Sequence, residues 1–168
     1  MEGKIQKLFR FEVDQSIRVE ELTKDTIIGI ANNEEAFTLR IKSKTKRHVY
    51  EYFRRWGKPK KFGPATLAAG IIVAVGKSTS RVSELIIDIE YPGYEITIQK
   101  IIQQAFPNIM IYFGLIGKKS PAHHAAYGVH VEKKISTWVA ERQELMRLIK
   151  NDPRTVTPPD QAGRFAVQ

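Results

Sequence analysis

Asp88 and Glu90 stand two residues apart in SELIIDIEYPG (83–93), among Leu85, Ile86, Ile87 and Ile89. Those aliphatic residues predict a strand interior, where a charge is unfavourable unless it is paired or coordinated. In an extended chain residues i and i+2 face one side of a sheet, so the two carboxylates would converge. Asp14 has a similar setting, at the end of the alternating run KLFRFEVDQS. The chain has only five aspartates, at 14, 25, 88, 152 and 160, against a net charge of +9. Scarce acids on rigid strands suit a hard divalent ion, since Mg²⁺ takes oxygen ligands and keeps several waters. Two such ions about 3.5–4 Å apart activate a water and stabilise a leaving oxygen in phosphodiester hydrolysis. Asp14 is expected to bridge both ions and Asp88 to hold one. The alternative for the Asp88–Glu90 pair is an ion pair with a neighbouring Lys or Arg, or a fraying strand end.

The segment SPAHHAAYGVHVEKK adds imidazole to these acids. Consecutive helical residues diverge by about 100°, so His123 and His124 cannot face one point. His123 shares a face with Tyr127 and His130 and is suited to ligate an ion or to move a proton. A histidine ligand would shift preference from Mg²⁺ towards Mn²⁺. The alternative is a helix-start histidine bonded to nearby backbone. Lys118 and Lys119 precede this helix; they read either as phosphate-neutralising groups beside a helix N-terminus or as a solvated pair. The densest positive region, 42–61, holds Lys42, Lys44, Lys46, Arg47, Arg54, Arg55, Lys58, Lys60 and Lys61 against one acid, Glu51. Such a face predicts phosphate binding without sequence reading. The interleaved Tyr50, Tyr52, Phe53 and Trp56 divide between stacking surface and core.

Positioning these groups requires a sheet. KLFRFEVDQS, TIIGIAN and AFTLRIK read as three successive strands, with NNEE as the hairpin turn between the second and third. The periodicity of KTKRHVYEYFRRWG predicts a helix stopped by Gly57, and ATLAAGIIVAVGK predicts a buried one, apolar nearly all round. ELIIDIE, broken by YPG, is a fourth strand, followed by the helix YEITIQKIIQQAF and a fifth strand, NIMIYFGLIG. Ser120 and Pro121 then carry the N-cap and first-turn signals of a further helix. This predicts a mixed α/β domain over 1–151, a five-stranded sheet flanked by helices, and a mobile Pro-containing tail over 152–168.

The totals bound the function. Without cysteine there is no disulfide scaffold, Cys-ligated zinc site or thiol chemistry, which suits a reducing cytoplasm. Residues 1–20 lack a long apolar run, so no signal peptide is expected. No apolar run is long enough to span a bilayer. A pI near 9.8 points to a polyanion partner, and nucleic acid is favoured over a membrane surface because the basic helix also carries core-type aromatics.

Element order and motifs together resemble the ribonuclease H-like nucleases, most closely the RuvC-type Holliday-junction resolvases. That superfamily carries an Asp on the first strand, an acid on the fourth, and an acid or His on the last helix; Asp14, Asp88 with Glu90, and His123 occupy those places. Pro121-Ala122-His123-His124-Ala125 matches a Pro-x-His-x-Ala start seen in some resolvases. The resemblance spans about residues 8 to 133. It implies a Mg²⁺-dependent endonuclease with two ions, Mn²⁺ as a substitute, a nucleic-acid substrate such as branched DNA or an RNA–DNA hybrid, and a homodimer. Ala126 departs from the pattern, because resolvases usually carry another acid one turn after that His. Glu51, Glu90 and His124 stay open as the residue that completes the site. A non-catalytic nucleic-acid-binding protein on the same fold is the alternative.

Overall fold

The computed structural model describes residues 9–131 and 134–151. The segment 152–168, expected to form a mobile tail, lies outside the described residues. The chain opens with β1 (Arg10–Ser16), β2 (Thr26–Ala31) and β3 (Ala36–Ile41), an antiparallel meander in which Val13 faces Ile30 and Ile28 faces Leu39. Asn32 makes the second turn, its Oδ1 accepting from the amides of Glu34 and Glu35 at 2.9 and 2.8 Å. Next come α1 (Ser43–Arg55), a 3₁₀ turn (Pro59–Lys61), α2 (Phe62–Lys77) and β4 (Glu84–Asp88). The order closes with α3 (Glu95–Ala105), β5 (Met110–Gly114), α4 (Pro121–Val131), β6 (Trp138–Val139) and α5 (Arg142–Asn151).

The sheet has six strands in the order β5-β4-β1-β2-β3-β6, not the five expected. The addition is β6, a two-residue strand parallel to β3 at the head of WVAERQELMRLI. Two residues show no alternation, so their pairing depends on a distant partner. Thr38 and Thr137 exchange amide-to-hydroxyl bonds of 2.9 and 3.0 Å, and the Ala140 amide reaches the Arg40 carbonyl at 2.8 Å. The fourth strand is also shorter than ELIIDIE suggests. It ends at Asp88, although the Ile89 amide still bonds the Gly114 carbonyl at 3.1 Å, and Gly93 turns the chain at φ +91°.

Strand alternation divides the side chains between two faces. One carries Phe11, Val13, Ile28, Ile30, Leu39, Leu85 and Ile87, all buried in one cluster with α2. Each such side chain contributes about 1.5–3 kcal/mol on burial. Every residue of α2 from Phe62 to Val75 is buried, which is why that helix has no polar face. Leu145, Met146 and Ile149 of α5 join the same core. Both segments are therefore internal packing. The opposite face carries Asp14, Ile27 and Gly29, and α4 lies across β1, β2 and β3 there. Among the described residues no helix is long and apolar enough to cross a membrane.

Candidate metal centre

Parallel pairing of β1 with β4 sets Val13 opposite Ile87, and one step further along both strands brings Asp14 beside Asp88. Glu90 lies two residues past the end of β4. A carboxylate oxygen of each of the three lies within 4.8 Å of one from each of the others. Oxygens that share one Mg²⁺ are at most about 4.2 Å apart, so closing the cluster takes no more than about 0.6 Å. Two of the acids are already oriented by backbone amides. Asp14 Oδ1 accepts from Gln15 N at 2.8 Å, and Asp88 Oδ1 from Ile116 N at 2.9 Å.

Crowding the carboxylates changes their protonation. Burial raises the Asp14 carboxyl above its ordinary range, against the lowering effect of the His123 and Gln15 hydrogen bonds. Glu90 is pushed up to about 7, first by burial and then by its hydrogen bond to Asp88 and the charges of Asp88 and Asp14; Arg18 opposes the rise. Without a cation, the cluster thus retains a proton near neutral pH. Three hard oxygen donors sharing a proton match what Mg²⁺ or Mn²⁺ displaces on binding, so the residues fit such an ion.

His123 reaches the cluster from the other side of the chain. Ser120 caps α4, its Oγ accepting from the amides of Ala122 and His123 at 3.1 and 3.4 Å. The helix sits so close to β2 that a Cβ on Gly29 would fall 2.4 Å from the Ala122 carbonyl oxygen and 3.1 Å from the Ala126 Cβ. Gly29 is the β2 partner of Asp14. This close approach brings His123 Nδ1 to 2.9 Å from Asp14 Oδ2, with the Tyr127 ring stacked on the imidazole at 5.8 Å and 19°. His123 joins through Asp14 and lies outside the set of three mutually close carboxylates. His124 is exposed. Ala126, where the resemblance implies an acid, is buried against Ile27 and Gly29.

The loop 17–25 supports Glu90 from a third direction. Ile17 has φ +63°, an uncommon conformation for a β-branched residue, and it reverses the chain directly after β1. Arg18 then donates to the Glu90 carbonyl at 2.9 Å, approaches its carboxylate at 4.0 Å and lies over the Tyr91 ring. Lys46 anchors this loop, which corrects its expected role at a nucleic-acid surface. Its side chain is fully buried, donating to the carbonyls of Arg18 and Glu21 and, at 3.0 Å, to Thr26 Oγ1. Burial pulls its pKa down to about 8 despite Asp25, Glu21 and Glu20 nearby. A cation committed inward offers nothing to an external phosphate.

The remaining basic residues lie at or near the surface. Arg47 donates to the Leu22 carbonyl at 3.1 Å, while Arg54 and Arg55 pair with Glu51. Glu51 is therefore occupied on α1 and is no member of the acidic cluster. Lys60, Lys118 and Lys119 are exposed, and Lys58 and Lys61 are half-buried. Lys118 and Lys119 sit in the loop that begins at the Asp88 contact and ends at the Ser120 cap. Sequence reasoning missed Arg18, the anchoring role of Lys46, and Glu12. Glu12 is spaced i, i+2 from Asp14 on the same face of β1, and its Oε2 is buried without a hydrogen-bond partner. That spacing was the available signal. Compared with family models, curated proteins and solved structures, the chain matches none.

Proposed function

We propose that the chain is a divalent-metal-dependent nuclease of ribonuclease H-like build, acting on structured nucleic acid such as branched DNA or an RNA–DNA hybrid. The observation that carries this reading is the convergence of Asp14, Asp88 and Glu90, with His123 bonded to Asp14. Asp14, Asp88 and Glu90 would hold Mg²⁺ or Mn²⁺. A bound divalent ion supplies Lewis acidity that activates a water and offsets charge on the leaving oxygen. Asp14 fixes the His123 ring through Nδ1, which leaves Nε2 as the nitrogen that holds or moves a proton. The Ile116 amide keeps Asp88 aimed at the cluster, and Arg18 holds the backbone of Glu90. Lys118 and Lys119, exposed between the Ile116 amide that holds Asp88 and the Ser120 cap, would attract a phosphate to the site.

The test is a cleavage panel of four-way junction, hybrid, duplex and single strand, each with Mg²⁺ or Mn²⁺. Wild-type protein should cut at least one substrate only with metal, and Asp14→Asn and Asp88→Asn should abolish cutting while binding persists. Unchanged cleavage in both variants overturns the reading. Ala126 supports a second reading, a non-catalytic binder with a reduced acid set. That reading requires binding without cleavage under every metal condition.

A further inference from the structure

On the face of the sheet away from His123, α1 and α5 enclose a cleft of about 500 Å³ whose lining includes His48, Glu51, Tyr52, Arg55, Trp56 and Lys150. We propose that this cleft binds one nucleotide unit of a single-stranded segment, the phosphate on Arg55 and Lys150 and the base against Tyr52 and Trp56. The inference rests on the nuclease reading only for the polymer concerned; the site itself is separate from the carboxylates.

Size, charge and ring placement each contribute. The volume lies in the range of small-ligand sites, about 300–1,000 Å³. Glu51 is the one acid in the lining, and both Arg54 and Arg55 pair with it, so the surroundings keep a positive excess. Arg142 and Lys150 add to that field from α5. Burial, then Arg142, Lys150 and Arg55, hold the His48 imidazole below its ordinary pKa. Of these causes it is the three neighbouring cations, Arg142, Lys150 and Arg55, that favour an anion here.

The aromatic component separates a nucleotide from a bare anion. Tyr52 and Trp56, one helical turn apart, are half-buried with ring centroids 5.8 Å apart. Lys150 Nζ already lies 5.4 Å from the Tyr52 centroid, so a cation and a π-face share one spot. Single-stranded nucleic acid is held by this pairing of charge with stacking surface. An inorganic phosphate would engage the cations and leave the rings unused.

The protein has two tryptophans, so Trp138→Phe in the full chain leaves Trp56 as the sole reporter. An eight-residue oligothymidylate titrated in EDTA should quench Trp56 fluorescence, and rising salt should weaken the effect. Arg55→Ala with Lys150→Ala should lower affinity about tenfold, as expected when two phosphate contacts are lost. Lys150→Ala alone, at an exposed position, gives a smaller loss and keeps the test decisive if the double variant unfolds. Asp14→Asn should leave quenching intact, and inorganic phosphate should not produce it. Absence of quenching, quenching indifferent to Lys150, or equal quenching by phosphate each overturns the proposal. Wild-type protein that shows quenching but no cleavage with either metal counts against the metal reading alone; wild-type cleavage without quenching counts against this cleft alone.

Discussion

Replacing Glu90 with Gln should stabilise the metal-free protein and at the same time remove its response to Mg²⁺. Glu90 has a folded-state pKa of about 7 against an ordinary 4.5, the first cause being burial and the next the neighbouring Asp88. Below pH 4.5 the carboxyl is protonated in both folded and unfolded chains. Between 4.5 and 7 only the folded chain keeps the proton, and above 7 it too gives the proton up. Stability from this group is therefore complete at low pH and is lost as pH rises through about 7. At pH 8 the difference amounts to about 3 kcal/mol at most by proton linkage. The side chain is 23% exposed, and solvent screening reduces the effect to about 2 kcal/mol. Gln keeps the shape and the hydrogen bond to Asp88 without the charge, so Glu90→Gln should melt about 4–8 °C higher at pH 8 in EDTA. At pH 5 the gain should fall below about 1 kcal/mol. Mg²⁺ at a hundred times its dissociation constant should add about 2.7 kcal/mol to the wild type and little to the variant. Thermal melts followed by circular dichroism give all four values. A variant that melts no higher than wild type in EDTA at pH 8, or that keeps the full Mg²⁺ response, refutes the shared-proton cluster.

Gly29→Ala should push α4 off β2 and destabilise the fold by about 1–3 kcal/mol through overpacking, read by urea unfolding. It should also raise the Mg²⁺ concentration needed for half-maximal stabilisation, because His123 loses its seat on Asp14. Lys46→Met should cost about 2 kcal/mol by leaving the Arg18 and Glu21 carbonyls unsatisfied, while nucleic-acid affinity and its salt slope stay unchanged in a filter-binding assay. Arg18→Met removes a cation that lowers the Glu90 pKa, so the carboxyl midpoint followed by NMR should move above about 7. A midpoint that stays put places Arg18 outside the electrostatics of the site.

Much of the frame was readable because it rests on local patterns. The alternation of β1, the Asn32 turn, the unbroken apolar surface of α2 and the Ser120–Pro121 helix start each announce themselves within ten or so residues. The nearness of Asp14 to Asp88 was readable from two strand-borne acids and an assumed pairing of their strands. What escaped depends on partners far along the chain. The two residues of β6 become a strand only because β3 offers them an edge, and Lys46 looked like surface because eight other cations surround it in sequence. Its burial is decided by carbonyls of the loop 17–25, those of Arg18 and Glu21, 28 and 25 residues earlier. The closeness of Gly29 to Ala126 follows from two small residues almost a hundred positions apart, and no periodicity marks such a pair. Glu51 was a reasonable candidate by type, but Arg54 and Arg55 on its own helix claim it.

The assembly of the acidic cluster from residues 14, 88, 90 and 123 has a bearing on biosynthesis. A nascent chain that has emerged from the ribosome only through β3 carries Asp14 with no counterpart, and it acquires the imidazole only after α4 is outside the exit tunnel. Any hydrolytic competence would then arise late in synthesis. A product that ends before α4 would hold an incomplete cluster, with the carboxylates present and the imidazole missing.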